Sequence, residues 1–150
     1  MDIDVTAETT IARPRVELAA FASDPENDTK WIGGIREVRS VAPRPVGVGT
    51  RVERVAEFRK KPVFYTLEVV AFEPGAVLDM KSVKAPFPMR VTYRFEDAPG
   101  GTRASIHIGG GTGGLAALIA PLIRRTVRKS ISKDLGNLNR LTEALPVVDE

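Results

Sequence analysis

Three polar side chains fall where the surrounding apolar pattern turns inward, and any chemistry of this sequence starts with them. Over 50–58, Arg51, Glu53 and Glu57 alternate with Thr50, Val52, Arg54, Ala56 and Phe58, so Arg54 shares the apolar side. A guanidinium there must be paired. It can receive a carboxylate or enolate oxygen of a ligand, its stem can reach to the rim, or a bulge can turn it outward. Tyr93 lies in line with Met89, Val91 and Phe95, opposite Arg90, Thr92, Arg94 and Glu96, and offers a hydroxyl that can orient a ligand. Asp134 falls near the centre of an apolar helical stripe, Ile119, Ile123, Val127, Ile131, Leu138, Leu141 and Leu145. A carboxylate facing a dry pocket acquires a raised pKa and can act as acid or base. The plainer readings are that Asp134 pairs with Arg54, caps a backbone amide, or is exposed because the stripe drifts to Leu135.

Other kinds of chemistry have little to stand on. With no cysteine there is no thiolate, and His107 is the only imidazole, so no metal site is expected. His107 shares a face with Arg103 and Ser105 against Ala104, Ile106 and Ile108, which puts it towards solvent and away from a Ser-His-Asp triad. Gly109-Gly110-Gly111-Thr112-Gly113-Gly114 lacks the Gly-Lys-Ser/Thr of a phosphate loop and reads as a turn into a helix. No cofactor is called for. The apolar inventory is richer. Leu78, Met80 and Ser82 share a strand face beside the Met89–Phe95 face, which implies a cavity with adaptable methionine walls. The candidate ligand contacts are Trp31, Arg54, Tyr65, Met80, Phe87, Met89, Tyr93, Ile106, Ile119 and Ile123, with Trp31 and Phe87 as lid or mouth residues.

These residues need a scaffold, and the sequence supplies one. The periodicity predicts a helix from about Leu115 to Leu145, roughly 30 residues and about 45 Å long, with a kink or break near Pro121. A helix of that length must lie across a broad partner. Ile3 to Ile11 alternates as a half-buried strand. Pro14 opens a short helix to Ala22, and Asp24-Pro25 caps and opens a second that runs to about Trp31 and stops at Gly33-Gly34. Six strands follow, near 35–42, 50–58, 63–73, 76–84, 88–96 and 102–109, separated by Pro43 to Gly49, Lys60-Lys61-Pro62, Glu73-Pro74-Gly75, Ala85-Pro86 and Ala98-Pro99-Gly100-Gly101. The short gaps favour hairpins and antiparallel pairing. The expectation is an α+β fold in which a seven-stranded curved antiparallel sheet wraps around a long C-terminal helix, leaving a hollow between them. Residues 1–150 form a single domain.

Charge adds a surface question. The net charge is +3, yet six basic residues face two acidic ones between Leu115 and Leu145. Arg124, Arg125 and Arg128 can meet an anionic membrane surface or an acidic partner, or simply form a solvated face. No recognised module or basic-aromatic interleaving points to nucleic acid. The acidic alternating start, Met1-Asp2-Ile3-Asp4, reads as neither signal nor transit peptide, and a cytoplasmic protein is expected.

The turns and caps appear in a familiar order. They run Ala12-Arg13-Pro14, then Phe21-Ala22-Ser23-Asp24-Pro25-Glu26-Asn27 ending at Trp31, then Gly47-Val48-Gly49-Thr50 and Phe72-Glu73-Pro74-Gly75. Tyr93-Arg94-Phe95, Gly101-Thr102-Arg103 and Asp134-Leu135 with Leu138 and Leu141 complete the set. In this order the chain resembles the SRPBCC superfamily, also called START-like or helix-grip, and most closely its polyketide cyclase/dehydrase and lipid-transport branch. The resemblance implies carriage of a lipid, polyketide or isoprenoid in the hollow. The alternative it implies, ranked second, is an aromatase/cyclase or dehydratase in which Arg54 holds an enolate, Tyr93 donates a hydrogen bond and Asp134 acts as base. An interaction module docking through the basic helix face is the third reading. Because the shared motifs are turns, caps and core positions, they specify the grip and not the cargo.

Overall fold

The computed structural model describes residues 3–58, 60–111 and 120–143. The chain runs β1 (Ile3–Ile11), α1 (Arg15–Ala22), a 3₁₀ turn (Pro25–Asn27) and α2 (Asp28–Trp31), then β2 (Ile35–Ala42), β3 (Arg51–Phe58) and β4 (Lys61–Glu73). β5 (Val77–Lys84), β6 (Met89–Ala98), β7 (Gly101–Gly110) and α3 (Ala120–Glu143) complete it. All seven strands form one antiparallel sheet in the order β1-β7-β6-β5-β4-β3-β2. β1 closes against β7, from Ile3 opposite Gly110 to Ile11 opposite Thr102, so α1 and α2 carry the chain from one sheet edge to the other. This is the helix-grip architecture expected from the strand pattern. No described helix is long and apolar enough to cross a membrane.

Several boundaries move for identifiable reasons. The second predicted helix divides: Asp24 accepts from the Glu26 backbone N–H at 3.0 Å and Pro25 starts a 3₁₀ turn, after which α2 makes a single α-helical turn. Thr50 does not open β3. Its hydroxyl donates to the Pro43 carbonyl at 2.9 Å and accepts from the Gly47 N–H at 3.0 Å, closing the loop before the strand. Lys61 and Pro62 are strand and not turn, because Phe58 pairs with Lys61 across a two-residue connection with Lys60 at positive φ. Along β4, a register shift between Val69 and Ala71 changes the phase. Leu67 and Val69 are buried before the shift, and Phe72 lies opposite inward-facing Leu78 after it. That accounts for the unbroken apolar run Val69-Val70-Ala71-Phe72 in this strand. The expected ends of the C-terminal helix, with Ile119 and Leu145, lie outside the described residues, and the break expected near Pro121 falls at their edge.

α3 lies along β1 and also reaches β7 and α2. Its buried residues are Ala120, Ile131, Asp134, Leu135, Leu138 and Thr142, while Ile123, Val127 and Leu141 pack partly buried against the core. The inner stripe therefore takes in both Asp134 and Leu135. The C-terminal end of α3 is fastened near the end of β1: Arg13 Nη2 donates to the Glu143 carbonyl at 2.8 Å, and Thr102 donates to the Arg13 carbonyl at 2.7 Å. α1 covers the same end with Leu18, Ala19 and Ala22, all at most 1% exposed.

The β1–β7 closure leaves no room at Gly101. A Cβ there would lie 2.1 Å from the Ile11 carbonyl oxygen and 2.9 Å from Ala12 Cα, both backbone atoms. Gly101→Ala is expected to cost about 1–3 kcal/mol by forcing the strands apart. Gly34→Ala, where nothing stands within 4 Å, should melt like the parent. Equal melting temperatures for the two variants in a thermal scan would contradict the tight closure.

Candidate functional site

The polar side chains predicted to face inward meet at α2. Arg54 is 4% exposed on β3, and its guanidinium is paired with Asp28 from α2: Nε to Oδ2 at 2.9 Å and Nη2 to Oδ2 at 2.7 Å. Nη2 also donates to the Tyr93 hydroxyl at 3.3 Å. Tyr65 stands directly opposite Arg54 in the β3–β4 register, and is half-buried. Trp31, at the end of α2, meets the Tyr93 ring edge-on with centroids 5.4 Å apart and planes at 62°. The site is thus an ion pair with an aromatic cluster packed over it.

The electrostatics follow from burial. Desolvation raises the Asp28 carboxyl above its ordinary range, with Arg54 opposing the rise through charge and hydrogen bonding. Burial also pushes the Tyr93 phenol well up, so it stays protonated across the physiological range. Asp134 is raised by burial too, partly offset by the hydrogen bond that its Oδ1 accepts from the Gly33 N–H at 3.0 Å. Among the readings open from sequence, Asp134 takes the backbone-amide cap, and Arg54 takes a partner that the sequence reading missed. The missed signal was spacing. Asp28 lies three residues before Trp31, so one helical turn presents both on the same side.

The remaining candidates divide by depth. Met80 and Ile106 are buried beside Tyr93, with Ile106 directly opposite it on β7. Trp31 was expected at a lid or mouth but is 1% exposed in the interior, because Asn137 Nδ2 on α3 holds its carbonyl at 3.1 Å and packs α2 beneath the long helix. Phe87 is 49% exposed in the β5–β6 connection. Met89 and Ile123 are half-buried, and Ile119 lies outside the described residues.

The inner face mixes fully and partly buried side chains along its length, with Phe21, Phe72 and Leu141 partly buried towards α1 and Ile3, Val5 and Ala120 buried towards the start of α3. Near α1, Ile11, Leu67, Val69, Leu78 and Phe95 are all 4% exposed or less. Towards the start of α3, Tyr65, Met89, Ile108, Ile123 and Val127 pack only partly buried against the same core. Two open grooves of about 440 and 410 Å³ lie elsewhere, beside the edge strand β2. Their linings include Arg51, Glu53 and Lys84 in one and Glu26, Arg39 and Arg44 in the other, which suits water better than an apolar guest.

Two outcomes follow from this wiring. Asp28→Ala leaves Arg54 buried without its counter-charge and is expected to cost about 3–5 kcal/mol in chemical denaturation. The double variant Asp28→Ala/Arg54→Met should recover most of that loss, and additive losses in the cycle would refute the pairing. At Asp134, Asn keeps an acceptor for the Gly33 N–H and removes the buried charge, whereas Ala removes both. Since the Asp134 pKa is raised, its favourable contribution is complete below the ordinary carboxylate range and is lost as pH rises through the raised value. Asp134→Asn should therefore match or exceed the parent at neutral pH and gain on it as pH rises, while Asp134→Ala falls about 1 kcal/mol below. Denaturation midpoints measured across the acid range check the sign.

Comparison with known proteins agrees with this architecture. A protein of Thermus thermophilus, TTHA0849, superposes with a TM-score of 0.80 at 20% identity, covering 95% of this chain and 99% of that one. The Zhui aromatase/cyclase of Streptomyces gives 0.74 at 15% identity over 93% of both chains. The di-domain aromatase/cyclase StfQ of the steffimycin biosynthetic pathway gives 0.75 at 12% identity, covering 95% of this chain and 51% of that one. No curated protein matches the sequence. The family described as polyketide cyclase / dehydrase and lipid transport matches residues 2–143, which is nearly the whole chain. The chain belongs to that family.

Proposed function

We propose that this protein binds a small hydrophobic molecule, of lipid, polyketide or isoprenoid class, between the sheet and α3. The observation that carries the reading is the group of core-facing apolar side chains left partly exposed around the start of α3. A core with only a structural duty gains by sealing both ends, at about 25 cal/mol for each Å² of apolar surface removed from water. Here Tyr65, Met89, Ile108, Ile123 and Val127 keep part of their surface available. A ligand entering beside the start of α3 would cover them, with Phe87 at the mouth.

An aromatase/cyclase is the second reading, favoured by the buried phenol and guanidinium of Tyr93 and Arg54 lying side by side. Its expected mechanism needs Arg54 to hold an enolate and Asp134 to take a proton. Asp28 already neutralises Arg54, which supports carriage ahead of catalysis, and Asp134 spends Oδ1 on the Gly33 N–H. A docking role for the basic face, with Arg125 and Arg128 exposed on α3, has no further feature in its favour beyond charge.

Native mass spectrometry of freshly purified protein, followed by organic extraction, is expected to show a defined apolar adduct of a few hundred daltons. In a titration with the neutral probe aminoanthracene, Ile123→Glu should weaken binding about tenfold or more by placing a charge in the mouth, with little change in folding. A protein that emerges free of adduct and binds no apolar probe would remove the carrier reading.

A further inference from the structure

The identity of the ligand's polar end follows from an atom that the site leaves unsatisfied, if the binding reading above holds. Trp31 is the one tryptophan of the chain and is 1% exposed, and its Nε1 is the buried side-chain nitrogen or oxygen without a hydrogen-bond partner among the described residues. Buried indole N–H groups ordinarily find an acceptor, so an exception calls for one from outside the protein. The adjoining Tyr93 is in a similar position. Its oxygen accepts from Arg54, which leaves its own O–H hydrogen to donate. Several oxygens of the cluster already accept from others: Asp28 Oδ2 from Arg54, the Trp31 carbonyl from Asn137, and Asp134 Oδ1 from the Gly33 N–H. Two donors thus lie on touching rings, and Trp31 Nε1 has no acceptor among the described residues.

Charge then selects the kind of acceptor. Arg54 is the buried cation of this cluster, and Asp28 neutralises it at 2.7 Å. A ligand carboxylate would arrive with no uncommitted cation and would add a buried negative charge near Asp28. A neutral carbonyl oxygen accepts two hydrogen bonds and brings no charge. We propose that Trp31 Nε1 and Tyr93 Oη form a recognition point for a neutral carbonyl oxygen, so that the ligands are apolar ketones, esters or quinones and not fatty acids. Nε1 is sealed from solvent, and the carbonyl reaches it as the ligand parts Trp31 from Tyr93.

Because Trp31 is the only tryptophan, the isotope-labelled protein has one indole N–H resonance to follow. Titration with methyl nonyl ketone is expected to move that proton downfield, and undecane of matched chain length should bind without doing so. Trp31→Phe should weaken the ketone roughly three- to tenfold, the worth of one neutral hydrogen bond, and leave undecane unchanged. Undecanoate binding as tightly as the ketone would overturn the preference for a neutral oxygen. An indole proton shifted upfield in the free protein and unmoved by the ketone would mean that it rests on the Tyr93 ring face, which also overturns the proposal. If ketone and undecane bind alike with the indole unmoved, this inference fails and the binding reading stands. If none of the three binds, both fall. The indole measurement uses the unaltered chain, so a poorly folded Trp31→Phe variant leaves the test intact.

Discussion

The buried ion pair between Asp28 and Arg54 decides where α2 sits, and most of the interior follows from α2. A helix of four residues has no stability of its own, since nucleation alone outweighs its hydrogen bonds. It persists because each part is held by a different element. Asp28 binds β3 through Arg54, Trp31 packs on Tyr93 of β6, the Trp31 carbonyl takes Asn137 of α3, and the Gly33 N–H takes Asp134. One helical turn thereby ties the sheet to the long helix. The charge on Arg54 makes this arrangement demanding, because a guanidinium in an apolar interior tolerates no position of α2 that removes its partner.

The two ends of the sheet–helix sandwich obey different physics. At the α1 end, backbone carbonyls at Arg13 and Glu143 are taken up by side chains. At the other end, apolar side chains on four elements stay partly open. The binding role proposed above would draw cooperative stability from the packed core and use methionine and aromatic walls where side chains stay partly exposed. The polar cluster lies inside, between the two. It carries no net charge when Asp28 and Arg54 are both ionised, so it tunes hydrogen bonding more than it attracts ions. Solved structures at 12–20% identity share the fold. Cargo is set by side chains within the container and not by its outline.

Local periodicity and turn chemistry determined the container directly. Alternation in β1 and β7, prolines at helix starts, glycines after β4 and β6, and a long amphipathic C-terminal run are all short-range signals, and each acts on its own neighbours. Even the inward placement of Arg54, Tyr93 and Asp134 was legible, because a strand or helix face is a property of spacing. What spacing does not carry is which inward residues meet. Arg54 pairs with Asp28, 26 positions away, because β3 lies at the far side of the sheet from β1 and the connecting helices fold back beneath α3. Asp134, 101 positions from Gly33, was free in sequence to be a base or a cap, and only the docking of α2 against α3 made it a cap. The phase shift after Val69, the burial of Trp31 and its unmatched N–H likewise arise from long-range packing. Local patterns choose faces through steric and hydrophobic preferences a few residues long. Partners are chosen by the closure of the whole chain, where the desolvation cost of each buried polar group is met by whatever the topology brings within reach.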